Sequence, residues 1–291
     1  MESHRPPREG FTVVIPAYNE AGSVPCVVAA IRDALRECPR PYEILLIDDG
    51  STDDTPQVAE ALDVETIRHD SNLGYGASLK TGIRRAQHDL VVITDADGTY
   101  PATRLLDLVA AMRDVDMAVG ARTGESVHIP FLRKPMKWCL TTLAQFLARV
   151  EIPDLNSGLR CFRKSTVAEY LHLLPNGFSF TTTITLAYLS DSRLVRYLPV
   201  DYQKRTGTSK IRPLRDSYSF LLLILRTIMY FDPIRIFMPP ALAALAITLG
   251  TLTYEIFWSR NLAEKSLLWL LITILLFGLA LLGDLIVRRR G

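Results

Sequence analysis

Short apolar runs recur along the first two hundred residues, at 11–15, 42–47, 64–69, 90–94, 116–120 and 195–200. Between them apolar residues return every three or four positions, as Val24, Val27, Val28, Ile31 and Leu35 do within 22–38. Short apolar runs read as strands buried in a sheet, and the three-four spacing reads as helices packed by one side. Helices are expected at 22–38, at 75–86, from 101 to 112, and after 51–54, where Ser51 or Thr52 would cap and Asp53 and Asp54 would lie in the first turn. Strand and helix alternating at this spacing predict an α/β fold with a mostly parallel sheet and right-handed crossovers. A longer helical stretch is expected at 130–150, with Arg133, Lys134 and Lys137 near its start, and an extended segment at 159–163.

Beyond residue 200 the pattern changes. Lys204, Arg205, Lys210, Arg212 and Arg215 surround Gly207 in what reads as a flexible basic loop. Residues 217–231 form an apolar, aromatic-rich segment whose one charge is Arg226, short enough to lie as a helix in a membrane interface. Residues 236–254 and 266–283 contain no charge at all, and each could cross a hydrocarbon layer of about 30 Å. Pro239 and Pro240 fall in the first turns of the first segment, where proline is tolerated. The connector at 259–265 is too short to be a domain, so the pair reads as a transmembrane hairpin. Arg235 and Arg288 to Arg290 flank it on one side, which the positive-inside tendency assigns to the cytoplasm. The expected division is a polar tail at 1–10, an α/β domain at 11–212, a juxtamembrane interfacial helix at 213–232, and a hairpin at 233–291 with spans near 236–258 and 266–287.

Composition narrows the class. In a chain of 291 residues, 48% hydrophobic, there is room for one large domain of about 230 residues plus the hairpin. A net charge of +2 does not call for a polyanion such as DNA. Cys26, Cys38, Cys139 and Cys161 are scattered without a Cys-x-x-Cys pair, so neither a zinc site nor a disulfide framework is indicated. The polar N-terminus MESHRPPREG does not read as an export signal, so the α/β domain is expected in the cytoplasm.

The candidate chemistry sits where strands end. LVVITDADGTYP at 90–101 stops a buried strand on Asp95 and Asp97, whose side chains leave an extended backbone on the same side. That is the edge at which open α/β sheets bind ligands. Two such carboxylates repel unless a cation lies between them, and a divalent ion carrying a diphosphate would relieve this; turn chemistry alone is the other reading of the pair. The first and second strands end comparably, on residues 16–20 and on Asp48 and Asp49. Gly74-Tyr75-Gly76 lacks the third glycine of a dinucleotide fingerprint, which excludes a Rossmann dehydrogenase. His4, His69, His88, His128 and His172 are dispersed and form no nucleophilic triad.

The segments VVIPAYNE, ILLIDDGSTDDT, NLGYGASLKTG and DADG, in this order within the first hundred residues, resemble glycosyltransferase family 2 with its GT-A fold. That resemblance implies that Pro16, Ala17, Tyr18, Glu20, Ile47, Asp49 and Ala96 line a nucleotide pocket. It also implies that Asp95 and Asp97 face the donor diphosphate and hold its Mg²⁺ or Mn²⁺. Gly120-Ala121-Arg122, Asn156-Ser157-Gly158-Leu159-Arg160 and Gly207-Thr208-Ser209-Lys210 are similar to segments of the polyprenyl-phosphate sugar synthases, such as dolichyl-phosphate mannose or glucose synthase. By that likeness Arg122 and Arg160 join Asp95 and Asp97 as catalytic residues, and Arg133, Ser157 and Lys210 hold an acceptor phosphate. Some relatives carry Asp-Ala-Asp-Leu-Gln, whose glutamine joins the metal site; here Gly98 and Thr99 follow Asp97.

The implied enzyme is a membrane-bound inverting transferase. It would move one hexose from a nucleoside-diphosphate sugar, of UDP-glucose or GDP-mannose type, to a polyprenyl phosphate. Both termini would be cytoplasmic, at the plasma membrane of a prokaryote or the endoplasmic reticulum of a eukaryote, and the hairpin leaves room for a homo-oligomer. A phosphate monoester has a second pKa of about 6, so the acceptor is already a dianionic nucleophile near neutrality and needs no strong base. Two alternatives stay open: a polysaccharide synthase, against which stands the lack of a Gln-x-x-Arg-Trp motif, and a non-catalytic, membrane-anchored nucleotide-binding scaffold.

Overall fold

The computed structural model describes residues 10–123, 142, 145, 150–177, 179–202, 222, 224–259 and 264–289. Next to the middle of its seven-stranded sheet is β1 (Phe11–Ala17), buried at every position. The strands β2 (Tyr42–Asp48) and β4 (Leu90–Ile93) flank β1 in parallel, with Val13 opposite Ile44 on one side and Val92 on the other. β3 (Glu65–Arg68) continues the sheet beyond β2, also in parallel. On the far side of β4 lie β6 (Arg160–Arg163), then β5 (Met117–Ala121), then β7 (Val195–Pro199). β5 and β7 are parallel to each other, but β6 runs antiparallel to both of its neighbours. Thus the 159–163 segment enters the sheet from the carboxyl edge and runs down from it. Its preceding loop, 152–158, is thereby left at the same edge as the ends of β1, β2 and β4.

Helices cover both faces. The helices α1 (Val24–Ala34) and α4 (Leu105–Ala111) close one core over Phe11, Val13, Ile15, Leu46 and Val92. On the opposite face α3 (Tyr75–Arg85), α5 (Lys164–Ala168) and α6 (Phe180–Ser190) close a second over Val14, Leu45, Ile47 and Val91. The alternation Val13/Val14 and Leu45/Leu46 between the two cores is the two-residue period of strands buried on both faces. α2 (Thr55–Ala61) begins at Thr55, after the expected cap: Asp54 is its N-cap residue, and no side chain caps it. Ser51 instead receives a hydrogen bond from the Asn19 amide at 2.9 Å, tying the β2 loop to the β1 loop.

The pattern does not announce α6, FTTTITLAYLS. Its residues Phe180 to Tyr188 are all buried, so no polar face marks it as helical, and its threonines are β-branched. Thr183 and Thr185 satisfy their hydroxyls on the carbonyls four residues back, at 2.9 and 2.8 Å.

The C-terminal segments are helices at Pro233–Tyr254 and Glu264–Arg288, joined through a π-helical turn at Glu255–Ser259. They pack on each other, with the hydroxyls of Thr248 and Thr273 3.3 Å apart. Most of their apolar surface faces outward: Leu242 is 53% exposed and Ile274 59%. This separates them from the core helices of a soluble domain, and both are long and apolar enough to cross a membrane. Asp232 breaks the helix ahead of them; before it, residues 224–231 are helical and pack on the α/β domain through Ile224 and Ile228. Residues 1–9 of the expected tail at 1–10, most of the helix at 130–150 and the basic loop from 203 lie outside the described residues.

Candidate functional site

Where β1, β2, β4 and β5 end on one edge, the residues that follow them surround a cavity of about 460 Å³. β1 contributes Pro16, Ala17, Tyr18 and Glu20; β2, Asp49; β4, Asp95, Ala96 and Asp97; and β5, Arg122. The loop before β6 adds Asn156 and Gly158, the start of α3 adds Gly74, Tyr75 and Ser78, and Tyr202 follows β7. Parallel strands make this convergence automatic, because each delivers its next residues to the same side of the sheet.

Each acid is held from behind. Asp49 is 3% exposed and accepts the backbone N–H groups of Leu73 at 3.0 Å and Gly74 at 2.8 Å. The Nδ1 of His69 lies 2.8 Å from the same carboxylate, and its Nε2 lies 2.9 Å from the Thr81 hydroxyl. Gly74 has φ +103°, and a Cβ there would stand 2.5 Å from the Asn176 carbonyl oxygen, so the turn that presents its N–H requires glycine. Asp95 accepts the Tyr75 hydroxyl at 2.9 Å. Burial, reinforced by Asp95, pushes the Tyr75 hydroxyl well above its ordinary pKa, so it stays a donor. Asp97 accepts both the N–H and the hydroxyl of Thr99, at 3.1 and 2.6 Å. Thr99 is 1% exposed and acts by aiming Asp97.

Among the described residues lining the cavity, Arg122 is the one cation. Asp154 grips it with two bonds, Nε at 2.7 Å and Nη2 at 2.8 Å, and the Tyr202 ring lies 5.3 Å from its guanidinium. Burial alone would lower its pKa, but the Asp154 hydrogen bonds, with Tyr100, outweigh this and hold it above the ordinary value.

Three expected site residues turn away. Ile47 is fully buried in the core beneath α3 and does not line the cavity, because the strand period points it through the sheet. The Ser157 hydroxyl faces inward and donates to the Gly120 carbonyl at 2.5 Å. Arg160 is wholly buried: its Nε donates to the Ser157 carbonyl at 2.7 Å, Nη2 to the Leu155 carbonyl at 3.0 Å, and Nη1 to the Thr185 hydroxyl at 2.5 Å. Burial lowers its pKa from the ordinary value. It knits the 154–158 loop to α6 and stands behind the site. Arg133 and Lys210 lie outside the described residues.

Tyr75, Asp154 and Tyr202 are supports that the sequence pattern does not single out, while His69 is structural. Tyr75 stands within the NLGYGASLKTG segment and Asp154 in a polar turn, but neither position tells which acid or base the side chain will meet.

The set suits a divalent cation with its own anionic ligands. Among the described residues, four carboxylates, Glu20, Asp49, Asp95 and Asp97, face the cavity beside one guanidinium. Among the described residues no three His, Cys, Asp or Glu side chains cluster as a complete metal cage. Mg²⁺ and Mn²⁺ are commonly held by one or two carboxylates with the remaining positions filled by water and phosphate oxygens, which two aspartates would allow.

Gly158 tests how closely this edge is fitted. A Cβ there would stand 2.6 Å from both carboxylate oxygens of Asp95. Gly158→Ala is therefore expected to push the Asp95 carboxylate aside and to lower any catalytic rate at this edge about a hundredfold, the cost of a displacement of about 1 Å at a reacting centre. Initial rates of variant and wild type check this.

The model of the family described as "Glycosyl transferase family 2" matches residues 12–171. Among curated proteins, the undecaprenyl-phosphate mannosyltransferase of Micrococcus luteus is 26% identical, over 68% of this chain and 86% of its own. The polyprenol monophosphomannose synthase of Mycolicibacterium smegmatis is 30% identical, over 70% of this chain and 82% of its own. Among solved structures, glucosyl-3-phosphoglycerate synthase from Mycobacterium tuberculosis, in complex with Mn²⁺, UDP and glucosyl-3-phosphoglycerate, shares the fold at a TM-score of 0.58 and 19% identity, over 76% of this chain and 80% of its own. With the family match covering more than half of the sequence, this chain belongs to glycosyltransferase family 2.

Proposed function

We propose that the chain is a membrane-bound inverting glycosyltransferase that moves one hexose from a nucleoside-diphosphate sugar to a polyprenyl phosphate. The observation that carries the reading is the charge of the described cavity residues, four carboxylates beside Arg122, at the end of a domain attached to two apolar helices. Such a site repels a bare diphosphate and accepts one that brings a divalent cation. Names of the relatives support a polyprenyl acceptor, and the Mn²⁺ and UDP of the solved neighbour support a metal-dependent nucleotide donor.

Asp95 and Asp97 would hold Mg²⁺ or Mn²⁺, aimed by Tyr75 and Thr99. When bound, the ion would supply charge neutralisation for the diphosphate leaving group. Pro16, Ala17, Tyr18, Glu20, Asp49 and Ala96 would form the nucleoside side of the cavity. Arg122 would face the phosphates, with Asp154 and Tyr202 keeping its long side chain in one geometry so that little entropy is lost on binding. The acceptor phosphate would attack the anomeric carbon directly, as a dianion, so no general base is needed. Arg133 and Lys210 would contribute cations for that phosphate.

In this reading residues 11–212 form the catalytic domain, 213–232 a juxtamembrane segment and 233–291 the transmembrane hairpin. The domain and both termini would face the cytoplasm, where a polyprenyl acceptor shows its phosphate at the headgroup level.

Membranes containing the chain, supplied with polyprenyl phosphate and labelled UDP- or GDP-sugars, test this. The expected product is a lipid carrying one monosaccharide, identified by mass and lost on adding EDTA. Sugar appearing in a water-soluble polymer would favour a polysaccharide synthase, and nucleotide binding without transfer from any donor would favour a scaffold.

A further inference from the structure

The loop 152–158 has two faces that meet different parts of the molecule. Toward the cavity it presents Asp154 to Arg122, Asn156 to the lining and Gly158 to Asp95. Away from the cavity it presents Ile152, 1% exposed, and Leu155, 6% exposed. These two pack into a small apolar cluster with Leu186 of α6 and with Ile224 and Ile228 of the juxtamembrane helix. Ile236, in the first turn of the first hairpin helix, packs against the same cluster. The helix at 224–231 buries Ile224, Thr227 and Ile228 on this side and leaves Arg226 and Met229 exposed on the other.

The continuity is short. Asp232 is the single non-helical residue between the juxtamembrane helix and the helix that starts at Pro233, and its carboxylate pairs with Arg235 at 2.6 Å. A body comprising the hairpin and the juxtamembrane helix therefore bears on the loop through Ile224, Ile228 and Ile236. The loop is stiffened from within, since Arg160 binds the carbonyls of both Leu155 and Ser157. The Asn156 side chain, in turn, accepts the Thr182 hydroxyl of α6. A shift of Leu155 cannot be absorbed locally and must pass to Asp154 and Gly158, because packed interiors transmit displacement.

We propose that Ile224 and Ile228 are positioning residues for the reaction: seated against Ile152 and Leu155, they fix the loop that sets Arg122 and Asp95. The site would then be complete only when the juxtamembrane helix is docked, so membrane seating and catalytic geometry are linked. The inference rests on the proposed transfer reaction for its biological meaning, but the coupling itself concerns nucleotide and metal at the cavity.

The test uses the full chain in nanodiscs, with Leu155→Ala, Ile228→Ala, the double variant and Ile228→Leu. Affinity for UDP and for GDP in the presence of Mn²⁺ is measured alongside transfer to polyprenyl phosphate, at a temperature well below each variant's unfolding midpoint. Each alanine variant is expected to weaken Mn²⁺-dependent binding of the preferred nucleotide and to lower kcat, each by about tenfold, with the double variant no worse than the poorer single one. Ile228→Leu is expected to restore most of both. Losses that multiply in the double variant, or unaltered affinity and kcat in the folded single variants, would overturn the proposal. Should the wild type transfer no sugar to the lipid, the acceptor reading falls, while nucleotide affinity still decides the coupling.

Discussion

Asp97→Asn is expected to abolish measurable transfer, lowering kcat by about a thousandfold or more, while leaving the fold intact. Asparagine keeps the shape of the side chain and its Oδ1, so the N–H and hydroxyl of Thr99, now at 3.1 and 2.6 Å, keep an acceptor. What disappears is one of two negative charges that would hold the cation against the donor diphosphate. Stabilisation of a departing diphosphate by a metal ion contributes several kcal/mol, and about 4 kcal/mol corresponds to a thousandfold. The same loss should follow chelation of the wild type. Two measurements on the purified chain check the expectation: sugar transferred per enzyme per minute, and the thermal unfolding midpoint with and without UDP and Mn²⁺. The variant should melt as the wild type does without ligand, and should lose the upward shift that ligand gives. A variant that transfers sugar at half the wild-type rate would remove Asp97 from the catalytic set.

Arg160→Met is expected to act differently, by lowering stability about 3 kcal/mol. In a side chain that touched the donor or the acceptor, the substitution would cost activity and spare the fold. Arg160 is instead wholly buried, and its removal strands the Ser157 and Leu155 carbonyls without their donor, while the Thr185 hydroxyl keeps its bond to the Thr181 carbonyl. Each stranded buried group costs about 1–3 kcal/mol, partly relieved by local rearrangement. Methionine fills much of the volume, so the effect is that of lost hydrogen bonds rather than a cavity. The denaturant midpoint of the full chain should fall with an unchanged slope. Transfer at low temperature, where the variant remains folded, should drop less than in Asp97→Asn. An unchanged midpoint with a lost reaction would return Arg160 to the cavity side.

The contrast between these two residues marks where the pattern of the chain stops being informative. Asp95 and Asp97 stand at the end of an apolar run, and a run that ends in polar residues fixes where the strand stops. The carboxylates had to emerge at the sheet edge whatever the rest of the chain did. The same holds for Pro16, Ala17, Tyr18 and Glu20, for Asp49 and for Arg122, which all reach the cavity because their strands share one direction. The hairpin was equally legible, since long uncharged stretches have few ways of satisfying both backbone and side chains.

Arg160 had no such constraint. It lies in the short strand Arg160–Arg163, and a cation at a strand end reads alike whether it faces a ligand or an interior carbonyl. The choice was made by α6, whose Thr185 lies 25 positions away along the chain. Ser157 was decided similarly by the Gly120 carbonyl, and Ile47 by the parity of β2, which sends alternate residues to opposite cores. The direction of β6 was set by its entry from the carboxyl edge, a consequence of chain path rather than of composition.

The sequence by itself therefore determined the strands, their polar ends, the acidic edge and the apolar hairpin, because each is a matter of local period and local burial. Only the tertiary structure decided which cations serve the cavity and which brace it, and that the juxtamembrane helix leans on the loop beside Asp95. Those outcomes depend on contacts between residues far apart in the chain, and a side chain's partner is fixed by the surface it finally meets, not by its neighbours in sequence.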